Sequence, residues 1–202
     1  QDHRGHGGTL LEQLLFGVMI LDANRAWHGA NGDGALASPT IPGVEHVSAT
    51  TSLPLTAQAD QTTIRVPGAP GNTGDKDHDG PLIDYMAVRA GYFEAMGMRI
   101  IAGRGFEPAR REDVREIVVD HTFAEYFFPT GNPIGTRIPF GESDTLTIVG
   151  VAQQARLYDI HKDDRPQVYI PSEDWGYATL SWVIRSDRPA SALAAEVRTA
   201  IH

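Results

Sequence analysis

Cysteine is absent from this 202-residue chain, so it forms no disulfide, presents no thiolate nucleophile and holds no zinc through sulfur. That absence suits an oxidising compartment, although cytosolic proteins lack cysteine too. Lysine is nearly absent as well: Lys76 and Lys162 are the only two, and the other cations are arginines scattered along the chain. With a formal net charge of -9, there is no basic stripe to neutralise phosphates or grip an anionic bilayer, which argues against nucleic-acid and lipid-surface partners. Long apolar runs are missing too. The most apolar stretch, Leu14 to Leu21, is far shorter than the roughly 20 residues a membrane-crossing helix needs.

What is present reads as a folded chain. The hydrophobic fraction of 41% and charged fraction of 21% are ordinary for a globular protein, and the length allows one generous domain or two small ones. The 21 glycines and 13 prolines imply many turns between short elements. A first residue of Gln1 rather than methionine leads us to expect a segment processed or excised from something longer.

Periodicity predicts a mixture of strands and helices with no internal repeat. Residues 1–40 are the hardest to place: a helix is expected over Thr9 to Ala26, with Thr9 as its cap and Leu11, Leu14, Leu15 and Val18 at apolar spacing, ended by the Gly-rich loop Gly29 to Gly34. Strands are expected over Val44 to Thr51, Thr62 to Val66, Ile83 to Val88, Ile117 to Val119, Leu146 to Val151, Val168 to Ile170 and Leu180 to Ile184. Two short helices follow their strands, one carrying Tyr92, Phe93 and Met96, the other Phe123, Tyr126 and Phe127, with Gly97 and Gly131 as left-handed stops. A closing helix starts near Pro189 and repeats apolar residues at Leu193, Val197 and Ile201. Pro67 to Gly80 reads as a loop. The pattern is α+β.

Few residues suggest chemistry. Asp75-Lys76-Asp77-His78-Asp79-Gly80 places carboxylates at alternate positions before a glycine, as in the first half of an EF-hand calcium loop, where hard oxygens surround the ion. The second half fails, because Met86 occupies the position of the closing glutamate; a solvated acidic loop is the plainer reading, with calcium at Asp75, Asp77 and Asp79 as its rival. His3 and His6 have ligand-like spacing but lie in a Gly-rich terminus. Asp120 beside His121 reads as a helix N-cap rather than an acid–base pair. No serine sits in a Gly-x-Ser-x-Gly elbow, and Gly68 to Gly74 lacks the Gly-Lys-Ser/Thr ending of a phosphate-binding loop. No catalytic residue or organic cofactor site is therefore assigned, and a hydrolase ranks last among the readings. The mixed-sign run Arg110, Arg111, Glu112, Asp113, Arg115 and Glu116 reads as solvated surface, while Arg104, between two glycines, is placed to pin a turn by donating to backbone carbonyls.

The order of motifs resembles the extracytoplasmic domain of MacB-like ABC transporter permeases, a group that includes FtsX-like permeases. The most specific piece is Val88-Arg89-Ala90-Gly91-Tyr92-Phe93-Glu94-Ala95-Met96-Gly97-Met98 with Gly103-Arg104-Gly105-Phe106. Ile117-Val118-Val119-Asp120, Phe127-Phe128-Pro129, Asn132-Pro133-Ile134-Gly135, Ile148-Val149-Gly150-Val151 and Val168-Tyr169-Ile170-Pro171 follow in order. Pro42-Gly43-Val44 and Ser52-Leu53-Pro54-Leu55 precede them. Residues before Thr40 and the acidic loop at Asp75 to Gly80 depart from the family pattern. The resemblance implies two subdomains: a porter-like βαβ part from both ends of the chain, residues 41–86 and 151–202, and a smaller inserted α/β part, residues 87–150. It also implies a periplasmic placement, membrane helices of the same permease attached at both ends, and ATP hydrolysis in a separate cytoplasmic domain or subunit. The domain itself would serve transport or efflux by transmitting motion and touching a substrate or periplasmic adaptor, without catalysis.

Overall fold

Short runs of β-branched and aromatic residues, each bounded by Gly, Pro or Asp, favour strands over helices along most of this chain. The computed structural model describes residues 18–22, 41–54, 59–69, 80–107, 114–140, 144–155, 165–174 and 180–201. Within them the strands are β1 (Val18–Asp22), β2 (Val44–Thr50), β3 (Asp60–Thr63), β4 (Leu82–Val88), β5 (Ile100–Gly103), β6 (Arg115–Asp120), β7 (Arg137–Phe140), β8 (Asp144–Ala152), β9 (Gln167–Pro171) and β10 (Ser181–Ser186). The helices are α1 (Tyr92–Met96), α2 (His121–Phe127) and α3 (Ala190–Ile201).

All ten strands join one mixed sheet in the order β1-β10-β2-β4-β9-β6-β8-β5, with β3 paired to β4 and β7 to β8. The β4–β9 and β6–β8 pairs are parallel and the others antiparallel. The α+β class read from the sequence is therefore the observed one.

Strand alternation sends side chains to two cores. From β4, Met86 and Val88 join Tyr92, Phe93 and Ala95 of α1, whereas Ile83 and Ala87 join Phe123 and Phe127 of α2. From β10, Val183 enters the α1 core, while Trp182 and Ile184 meet Ala190, Leu193 and Val197 of α3. So α1 covers one face, and α2 and α3 cover the other. The α1 core is built around rings: Phe93 and Tyr169 pack edge to face at 5.1 Å, and Tyr92 lies 5.7 Å from Phe93 and 6.0 Å from Tyr169. Burying each such ring contributes roughly 2–3 kcal/mol, which is what orders a helix as short as α1.

Four expectations need correction. The helix over Thr9 to Ala26 is not observed where it can be seen: Val18–Asp22 is strand β1, paired antiparallel with β10 from Val18 opposite Arg185 to Asp22 opposite Ser181. A short unbroken apolar run carries no period that separates helix from strand, and a vacant edge on β10 decides the matter. The rest of that helix lies outside the described residues. The strand expected over Thr62 to Val66 is Asp60–Thr63, with Ile64 and Val66 buried beyond its end. Gly97 does close α1 with φ 66°, but Gly131 is not left-handed; α2 ends at Phe128, with φ -132°. Glu116, read as solvated, is buried, and its carboxylate accepts two hydrogen bonds from Arg104, at 2.6 and 3.1 Å.

Candidate functional site

The two ends of the described chain meet in the β1-β10-β2 part of the sheet. β10, from near the C-terminus, lies between two N-terminal strands and pairs with both along its length. At its end the chain turns through Asp187 and Arg188 into α3, and here Pro42 and Gly43 are latched to it. The Ser186 hydroxyl donates to the Gly43 carbonyl at 2.5 Å and accepts from the Arg188 amide at 3.0 Å. The Asp187 amide also donates to the Gly43 carbonyl, at 3.2 Å.

Arg188 closes the latch. Its Nη1 donates to the Pro42 carbonyl at 2.8 Å and to Glu196 at 3.2 Å, while Nη2 donates to Glu196 at 2.6 Å and to the Ala192 carbonyl at 3.4 Å. One planar guanidinium thus binds the lead into β2 and two turns of α3 together, a geometry lysine cannot reproduce. The same hydrogen bonding lowers the Glu196 carboxyl below its ordinary range. Gly43 has φ +82°, a left-handed conformation that favours glycine, and a Cβ there would also lie 2.6 Å from the Arg188 Cδ and Asp187 Oδ1 side-chain atoms. Pro42-Gly43 was legible as punctuation; Ser186 and Arg188 were not singled out, although a Ser-Asp-Arg-Pro run before a helix is the signal of a polar cap.

The residues the sequence offered for chemistry do not converge. Asp75, Asp77 and Asp79, like His3 and His6, lie outside the described residues. Asp120 caps α2 as expected, accepting from the Phe123 amide at 2.8 Å, and His121 turns to Glu125 at 3.2 Å. Arg104 donates to the Gly105 carbonyl at 3.0 Å, as anticipated. Among the described residues, no group of three or more His, Asp or Glu is placed to hold a metal ion, and no helix is long and apolar enough to cross a membrane. A small cleft of about 80 Å³ opens beside the α2 core, lined mainly by apolar residues including Ile64, Ile83, Tyr85 and Phe140. That is room for a few carbon atoms rather than a drug-sized ligand.

The chain is a mixed-sheet α+β unit whose first and last described strands, β1 and β10, are knitted together, with β2 on the other side of β10. The chain belongs to the MacB-like periplasmic core domain family, which its residues 15–200 match. This is the periplasmic part of an ABC-type permease of the inner membrane. The fold is similar to that of three solved structures. One is the extracellular domain of the noncanonic ABC-type transporter YknZ from Gram-positive bacteria: 16% identity, TM-score 0.50, covering 77% of this chain and 72% of that one. Another is the periplasmic region of MacB from Actinobacillus actinomycetemcomitans: 15% identity, TM-score 0.53, covering 89% and 79%. The third is a domain of a putative permease from Porphyromonas gingivalis: 16% identity, TM-score 0.50, covering 79% and 70%. Comparison with curated proteins gives no match.

Proposed function

We propose that this domain is a non-catalytic coupler that carries conformational change from the membrane helices of its permease to a substrate or a periplasmic adaptor protein, while ATP is hydrolysed by a cytoplasmic domain or subunit. The observation that carries this reading is the latch: Ser186 and Arg188 hold the lead into β2 against the start of α3, so movement of either end is passed to the other and into the sheet. Bistable interfaces joined to rigid packed elements are how such motion is transmitted.

We further assign residues 41–86 and 151–202 to a porter-like subdomain and residues 87–150 to a smaller inserted one. In support, the α3 core draws only on the two ends of the chain. The experiment is a Ser186→Ala, Arg188→Ala double substitution in the parent permease. Substrate-stimulated ATP hydrolysis and transport fall together while the isolated domain keeps its fold by circular dichroism. Unchanged transport, or topology mapping that puts the domain in the cytoplasm, sinks the proposal.

A further inference from the structure

A row of polar side chains runs through the middle of the sheet. In the parallel β4–β9 pair, Asp84 stands opposite Gln167. In the antiparallel β6–β9 pair, Val118 faces Tyr169 and Val119 faces Val168, so the next position brings Asp120 opposite Gln167 from the other side. All three residues have 0% exposure. Gln167 is held at both side-chain atoms: its Nε2 donates to the Ala155 carbonyl at 2.7 Å and its Oε1 accepts from the Tyr169 hydroxyl at 3.1 Å.

Asp120 is provided for on one side only. Its Oδ1 accepts from the Phe123 amide at 2.8 Å and from the Gln167 amide at 2.9 Å, joining the first turn of α2 to the start of β9. Its Oδ2 is buried and has no hydrogen-bond partner among the described residues. Nor does a cation among the described residues pair with it. Across β9, Arg165 reaches Asp84, at 3.6 Å. On α2, His121 and Glu125 pair with each other, both largely exposed. On β6, Glu116 is taken by Arg104, and Arg115 by Asp144. The β8 residue beside Asp120 is the uncharged Ala152.

We infer that Oδ2 of Asp120 is a proton-binding site, and that its occupancy makes the α2–β9 joint pH-sensitive. A carboxylate buried with no countercharge costs several kcal/mol to keep ionised, and taking a proton from solvent removes that cost. The same carboxyl keeps its two amide bonds on Oδ1, so protonation firms the joint rather than dissolving it. Burial raises the Asp120 carboxyl from 3.8 to about 6, against the lowering effect of the Gln167 and Phe123 amides and of the neighbouring Thr122. Because the folded value lies above the unfolded one, the contribution to stability is fully present below about pH 4 and is lost as pH rises through about 6. At pH 5 the folded-to-unfolded ratio gains about tenfold from this group relative to pH 7.5.

The test needs only this chain. Carbon-detected NMR of the Asp120 carboxyl, assigned through its own backbone, gives a titration midpoint near 6 if the inference holds. Denaturant unfolding between pH 4.5 and 7.5 adds a second readout: Asp120→Asn keeps the cap, and the tenfold gain on acidification disappears. A midpoint at or below the ordinary aspartate value, a carboxyl that does not change state across the range, or an Asp120→Asn profile parallel to the wild type overturns it. Should the variant not fold, the titration of the unmodified chain decides alone.

Discussion

Arg188 and Glu196 meet through two guanidinium–carboxylate hydrogen bonds, 2.6 and 3.2 Å long, while the same guanidinium donates to the carbonyl of Pro42. Exposed ion pairs on their own add little. What gives this one meaning is its place, since Ser186, Asp187 and Arg188 all contact the turn at Pro42-Gly43.

Gly43→Ala is therefore a sharp test of the latch. The new methyl strains a backbone at φ +82° and collides with Arg188 and Asp187, so we expect a loss of about 1–3 kcal/mol in urea unfolding. Hydrogen exchange should rise first at the Asp187 and Arg188 amides. A fully stable Gly43→Ala would mean the approach is looser than described.

Arg104→Ala strands the carboxylate of Glu116, whose side chain is only 7% exposed. Discounted for the half-open position of Arg104, the expected cost is about 1–3 kcal/mol. Adding Glu116→Leu should recover part of it, because the stranded charge is then gone. The two single variants and the double, measured by denaturation, form the cycle that checks this.

Tyr92 is completely buried and its hydroxyl has no hydrogen-bond partner among the described residues. Tyr92→Phe should leave stability within about 1 kcal/mol of the wild type or raise it. Tyr92→Ala, which opens a cavity among Phe93 and Tyr169, should cost about 3–5 kcal/mol. A large loss on Tyr92→Phe would point to a partner for that oxygen.

The calcium reading of Asp75, Asp77 and Asp79 is tested directly by adding the ion. With Met86 where a closing glutamate belongs, we expect millimolar calcium to give no heat in calorimetry and no shift in melting temperature. A saturable signal that vanishes in Asp77→Asn would establish the site instead.

The sequence was most legible where one side of an element is apolar and a neighbouring residue fixes its end. α1 could be placed because Tyr92 and Phe93 precede Gly97, and α2 because Asp120 precedes Phe123 and Phe127. β1 was not, since its character comes from the partner β10 rather than from its own pattern. For the same reason Glu116 read as surface: alternation along β6 does not reveal that Arg104, twelve residues earlier, waits to neutralise it. The latch was half visible. Pro42-Gly43 announces a turn, but its hydrogen bonds to Ser186 and Arg188 span more than 140 residues of chain, a separation no local spacing encodes. The buried row at Gln167 depends on register between three strands and was invisible for the same reason.

At the margin of the sheet, β5 is largely exposed, and its pairing with β8 slips between Ile100 and Ala102. A regular outermost strand offers evenly spaced amides on which another chain can zip. This kinked one does not, so Ile101, 51% exposed, stands at the rim without templating stacks of like molecules.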